Sequence, residues 1–281
     1  MKKFIVQRTK RKTDIPLIAV TEKSYEKWLK KRSKREQNLL ETRRFKPEAG
    51  KYSLLTNEEG KLALVLIGIN AKEDIWSWSV LAKLNDKHSY YIDDSMEKVS
   101  AYHAALGWQL ACYQYDHYKE KKKDFATLVF DKKTDISLAQ EMAESIYLTR
   151  DLINTPTSDM GPSEFAAQAK KIAAQCKAKY SEIIGNDLLK KNYPTIHAVG
   201  RACDDAPRLV ELKWGKKTHP KLTLVGKGVC FDTGGLNIKS DKSMGMMKKD
   251  MGGAGFMLGL ARLIIKMELK VQLRVLLPLV E

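Results

Sequence analysis

Residues 222–239 read LTLVGKGVCFDTGGLNIK, and Asp250 follows in MKKDMGG. LTLVG is a continuous apolar run of the kind a central parallel strand shows, and a glycine-rich turn comes directly after it. In open α/β sheets ligands collect beyond the carboxyl ends of strands, so Lys227 and Asp232 stand where chemistry is expected. The stretch predicts an α/β fold with a site at the end of one strand.

Two phosphate-binding patterns can be tested on the same residues. A Walker loop needs Gly-Lys followed by Ser or Thr, and Lys227 is followed by Gly228. A dinucleotide fingerprint needs a third glycine where Phe231 stands. Both fail. A metal site survives the test, because carboxylates with few sulfur or imidazole donors suit divalent ions such as Mg, Mn or Zn. A lysine joins such a site only as the neutral amine. On this reading Lys227 is a ligand, and Lys239 is a protonated electrophile for a developing oxyanion. The plainer alternative is a glycine turn with Lys and Asp on the surface, and the residues taken singly leave both open.

The chain around this stretch alternates strand and helix patterns. IPLIAV (15–20) reads as a buried strand, and KYSLLT and KLALVLIGI flank a turn at residues 57–60. KSYEKWLKKRSKREQNLLETRR (23–44) reads as one solvated helix with Tyr25, Trp28 and Leu29 turned inward. DIWSWSVLAKL reads as a helix and SYYIDD as a strand. SAYHAALGWQLACYQYDHYK (100–119) reads as a long amphipathic helix opened by Ser100, and FATLVF as a strand. Charged residues at 119–124 and 131–135 bracket that last strand and suggest a boundary. The expected domains are 1–135, an N-terminal α/β domain, and 136–281.

In the second domain SLAQEMAESIYLTRDLINTP is a helix halted at Pro156, and Ser163 is expected to cap EFAAQAKKIAAQCKAKY. TIHAVGRA, RLVELKWG and VQLRVLLPLV read as strands, and MGGAGFMLGLARLIIKM reads as a helix. His197 is expected to be a packed strand residue rather than a ligand. Cys230 is expected to be a small buried hydrophobe, and Gly252 and Gly253 to allow close approach at a helix start. Met244, Met246 and Met247 fit either a pocket lining or a core.

At 281 residues, 43% hydrophobic and 30% charged, the composition is that of a globular protein with room for two domains. No run approaches the ~20 apolar residues of a membrane-spanning helix, and MKKFIVQRTKRK is far short of a signal-peptide core. The four cysteines show no metal or disulfide spacing. A reduced, cytoplasmic protein is expected. The formal charge is +16, and residues 1–50 hold 16 Lys+Arg against 6 Asp+Glu, a balance of +10. That raises a nucleic-acid partner. No nucleic-acid-binding motif accompanies the charge, which favours a solvated helical face.

VGKGVCFDTGGLNIK followed by MKKDMGGAG resembles the signature of the leucyl aminopeptidases, also called cytosol aminopeptidases or peptidase family M17. RDLINTPTSDMGPSEFA and HAVGRACDDAPRLVELKWG resemble the family too. The likeness is strong over the second half and architectural over the first. It implies an N-terminal α/β domain followed by an α/β metallopeptidase catalytic domain with a central mixed sheet. It also implies release of N-terminal residues such as Leu from peptide substrates, two divalent ions (Mn or Zn), and a homo-oligomer, a hexamer in the family. Lys227, Asp232 and Asp250 match metal-ligand positions, Asp232 one shared by both ions, and Lys239 matches the lysine that polarises the peptide carbonyl. The family continues to an acidic motif, Asn-Thr-Asp-Ala-Glu-Gly-Arg-Leu, which supplies further ligands and the arginine that holds a bicarbonate base. That motif does not occur within these 281 residues. The expectation is a catalytic domain truncated in its C-terminal part, inactive alone, with apolar faces such as Phe256–Ile265 short of cover. The alternative from another class is a non-catalytic scaffold that binds nucleic acid through the basic N-terminal region.

Overall fold

The structure, a computed structural model, describes residues 4–70, 75–120, 123–232 and 238–281. Two compact units divide the chain, Met1–Ala143 and Glu144–Glu281, and the division falls within a single long helix.

The first unit contains β1 (Ile5–Gln7), β2 (Ile15–Val20), α1 (Glu22–Leu29), α2 (Lys34–Thr42), β3 (Tyr52–Thr56) and β4 (Leu62–Gly68). After these come α3 (Trp76–Ser79), β5 (Ser89–Asp93), α4 (Ala101–Ala111) and β6 (Thr127–Phe130). The six strands run in the order β1-β6-β5-β2-β4-β3. Every neighbouring pair is parallel except the β3–β4 hairpin, which turns at the expected residues 57–60. Parallel strands need cover on both faces. Leu17, Ala19, Val20, Val65, Leu66 and Ile67 are accordingly sealed from solvent, and Trp28, Trp78 and Trp108 fill the largest volumes. The Trp108 indole N–H donates to the Ala126 carbonyl at 3.0 Å, so this large side chain leaves no polar group unmet. Arg8 reaches both carboxylate oxygens of the buried Asp14 at 2.7 Å, and this pairing holds the Asp14 carboxyl below the usual carboxylate range.

Two expectations for this unit need correction. Residues 23–44 are not one helix but two, because Ser33 takes an extended backbone and starts a new one. Its side chain accepts from the Glu36 N–H while the Glu36 carboxylate accepts from the Ser33 N–H, a capping box spelled S-x-x-E in the sequence. Trp28 is buried as expected, with Tyr25 and Leu29 against the same cluster. The helix opened by Ser100 stops at Ala111, well before residue 119, and is buried continuously from Ala104 to Trp108 rather than along one stripe. After Cys112 the residues offer no helical stripe to bury, and the rings of Tyr115, His117 and Tyr118 meet one another instead.

Helix α5 (Ser137–Asn154) joins the units. The second contains α6 (Pro162–Gln175), β7 (Lys179–Ile184), α7 (Asp187–Lys190), α8 (Pro194–Gly200), β8 (Arg208–Trp214), β9 (Lys221–Val225) and β10 (Gly228–Val229). It closes with α9 (Asp241–Gly245), α10 (Gly252–Lys266) and β11 (Gln272–Val280). The sheet is mixed, as expected. β11 and β8 are its inner strands: β11 is antiparallel to β8 on one side and parallel to β9 and then β10 on the other, while β8 also pairs with β7. Phe165, Val210, Leu258, Val275, Leu277 and Leu279 form the core between this sheet and its helices.

Four readings change here. Among the described residues LTLVG does not have the two neighbours of a central strand: β9 pairs with β11 alone, and Val225 is 61% exposed. TIHAVGRA is helical, because Pro194 at the first position presets the helical φ. Ser163 does not cap α6. Gly161 does, with Pro162 first in the helix, and the Ser163 N–H and hydroxyl both donate to Asp205. Lastly, the chain leaves α6 at Cys176 and turns through Lys177 at φ 52° into β7, whose first two residues, Lys179 and Tyr180, fall within the expected helix. Of Phe256–Ile265, Phe256 is 54% exposed, whereas Leu258, Ala261, Ile264 and Ile265 are buried.

Candidate metal centre

The site begins where β9 breaks. Val225 pairs with Leu276, and Gly228 pairs with Leu279 at the same offset, so Lys227 falls opposite Pro278 without any slip in register. Proline brings no N–H to the ladder. The Lys227 carbonyl accepts from the Ala254 N–H at 2.8 Å, in the first turn of α10, where helix donors have no partner within the helix. The two glycines beside Lys227 are required by contact. A Cβ on Gly226 would lie 2.6 Å from the Gly253 carbonyl oxygen, and one on Gly228 would lie 2.6 Å from that of Pro278. Gly253 is also tight, though less so, with an added Cβ 3.0 Å from the Lys227 backbone nitrogen, whereas one on Gly252 meets only the Ile153 side chain at 3.5 Å.

This close approach brings two of the expected ligands together. The Lys227 ammonium lies 2.8 Å from each carboxylate oxygen of Asp250, two residues before α10. Their side chains are 62% and 27% exposed, so the pair is open to solvent and ions. Asp232 follows on the same edge and is exposed. Residues 233–237, the centre of the motif, lie outside the described residues, and Lys239 beyond them is exposed. Among the described residues no three His, Cys, Asp or Glu side chains gather as a metal-holding group. The Lys227 amine and the Asp250 carboxylate, which touch, are donor types that suit a divalent ion once the lysine is neutral. A cation entering between the touching Lys227 and Asp250 would take the place of the lysine's proton.

Two positions escaped the sequence reading. Pro278 lies inside an apolar run that reads as an ordinary strand, and only the register shows that it faces Lys227. Thr157 lies in a 3₁₀ turn after α5, and its hydroxyl donates to the Phe231 carbonyl at 2.9 Å. Nothing in the spacing of residues 157 and 231 announces that contact. Of the remaining candidates, Cys230 is fully buried and its thiol is pushed up to about 12 by burial. His197 sits on α8 rather than on a strand and meets the Asn186 side-chain oxygen at 3.1 Å. Met244 is buried and Met246 is 54% exposed, so the three methionines do not form one surface.

Comparison with known proteins gives the family of the chain. Residues 147–281 match the family described as the cytosol aminopeptidase family, catalytic domain, and residues 15–131 match the M17 aminopeptidase N-terminal domain. The crystal structure of a cytosol aminopeptidase from Coxiella burnetii superposes with a TM-score of 0.89 at 38% identity, covering 99% of this chain and 61% of that one. A Sinorhizobium fredii protein named a probable cytosol aminopeptidase is 32% identical over 198 residues, which are 64% of this chain and 40% of that protein. The bottromycin maturation enzyme BotP in complex with Mn shares the fold, with a TM-score of 0.77 at 23% identity over 96% of this chain and 60% of that one. The chain thus spans less than two thirds of the length of each of these relatives, from 40% to 61%. With both of its units matched by domains of one family, the chain belongs to the cytosol aminopeptidase family, M17.

Proposed function

We propose that this chain supplies the N-terminal domain and part of the catalytic domain of a metal-dependent aminopeptidase that releases leucine-like residues from the N-termini of peptides. The contact between Lys227 and Asp250 at the open end of β9 carries this reading, in a chain of the M17 family. Lys227, Asp232 and Asp250 would hold Mn or Zn. When bound, the ions would supply Lewis acidity and an activated water for attack on the peptide carbonyl. Lys239, kept protonated, would stabilise negative charge on that carbonyl oxygen. Gly226, Gly228 and Gly253 let the strand end and the helix start touch, which fixes Lys227 against Asp250.

These residues are one part of the donor set that the family resemblance implies, so the 281-residue chain is expected to leave peptides uncut. Hydrolysis of leucine p-nitroanilide with Mn or Zn tests this, on the chain as it stands and on a longer one with the acidic motif following Glu281. The longer chain should cleave, and Asp250→Ala within it should lower kcat/KM by at least about a hundredfold. Cleavage that survives Asp250→Ala would sink the assignment.

A further inference from the structure

We propose that Thr157 is a positioning residue for Asp232, acting through the main chain. The inference rests on the metal reading above and adds a residue outside the motif. Along the edge from β9 into β10, each stretch of backbone is tied to a different neighbour. The Gly226 N–H donates to the Leu276 carbonyl, the Lys227 carbonyl accepts from Ala254, and the Cys230 N–H donates to the Val280 carbonyl at 2.8 Å. At Phe231 the next tie is not to a strand or helix but to a side chain, the Thr157 hydroxyl. The Phe231 carbonyl belongs to the peptide that joins Phe231 to Asp232, so this bond acts on the plane from which the Asp232 side chain departs.

The hydroxyl is itself held firmly. Pro156 precedes it with φ −65°, and the turn over Thr157–Asp159 is closed by bonds from the Asp159 N–H to the Pro156 carbonyl and from the Met160 N–H to the Thr157 carbonyl. Thr157 is partly buried, which limits competition from water for its hydroxyl. A group that orients a metal ligand from behind typically changes metal affinity tenfold or more when removed, and a bond made through the backbone belongs at the lower end of that range.

Calorimetric titration of Mn²⁺ into the 281-residue chain tests this, with thermal melting alongside. Thr157→Val should weaken Mn binding by about tenfold. Thr157→Ser and Thr157→Ala form a second pair that differs only by the hydroxyl: Ser should bind as the parent does, and Ala as Val does. Asp250→Asn serves as the control for the site itself. If Val, Ser and Ala all bind like the parent, or if all three weaken equally, the hydroxyl has no positioning role and the proposal falls while the metal reading stands. If the parent binds no Mn²⁺, these residues do not hold the ion by themselves and the proposal falls; if Asp250→Asn binds it as tightly as the parent, the assignment of Asp250 as a ligand fails and takes this proposal with it.

Discussion

Strands β4 and β9 look alike in the sequence, LALVLIG and KLTLV, and behave differently in the fold. β4 pairs with β2 on one side and β3 on the other, and Val65, Leu66 and Ile67 are sealed. β9 pairs with β11 alone among the described residues, so Leu222 and Leu224 are half-buried and Val225 faces solvent. The number of neighbours separates them, not the apolar content. The first sheet uses its inner strands to build a core. The second leaves one strand end unsealed, and the charged pair Lys227–Asp250 stands there.

Breaking each strand in turn should expose the contrast. Leu66→Ala is expected to have the largest effect, a loss of about 3 kcal/mol measured by urea unfolding, because a fully buried side chain leaves a cavity. A loss below ~1 kcal/mol would show that the first sheet is less tightly filled than its burial indicates.

Arg8→Met should come next, at about 2 kcal/mol near neutral pH, because it leaves the Asp14 carboxylate buried and short of its charged partner. The pH dependence has a definite sign. The folded Asp14 carboxyl titrates below its unfolded value of about 4, so the pairing contributes fully above that pH and its contribution fades as pH falls through the folded value. Urea midpoints measured from pH 7 down to pH 3 should therefore fall more steeply for the parent than for Arg8→Met below about pH 4. Parallel curves would mean that Asp14 is not the responsible group.

Val225→Thr should have the smallest effect, within ~0.5 kcal/mol, since a side chain already in water gains little from being apolar. A loss comparable to that of Leu66→Ala would show that β9 has cover in solution from some other surface.

Much of the fold was legible because its signals are local. The hairpin at 57–60 and the apolar strands β2, β4, β8 and β11 follow from period and turn residues. The misread segments had local signals pointing the other way or no decisive signal. Ser33-x-x-Glu36 and Pro194 could have been recognised as helix starts, whereas KYSEII is an edge strand whose alternation is weak, and only its pairing with β8 makes it one. Within the site, the residue types Lys227, Asp232, Lys239 and Asp250 were legible from the motif. The contact of Lys227 with Asp250 was not, since the two are 23 residues apart and meet through the glycine contacts between β9 and α10.

The sequence by itself determined the two α/β units, the family and the residue types at the proposed site, because side-chain type, hydrophobic period and motif order are properties of the chain alone. The tertiary structure decided three things: that β9 pairs with β11 alone among the described residues, that Pro278 stands opposite Lys227, and that Thr157 reaches the peptide before Asp232. Each depends on which distant segment arrives beside a given residue. That is settled by strand register and by where a carbonyl is left free to accept, and no local window of sequence contains it.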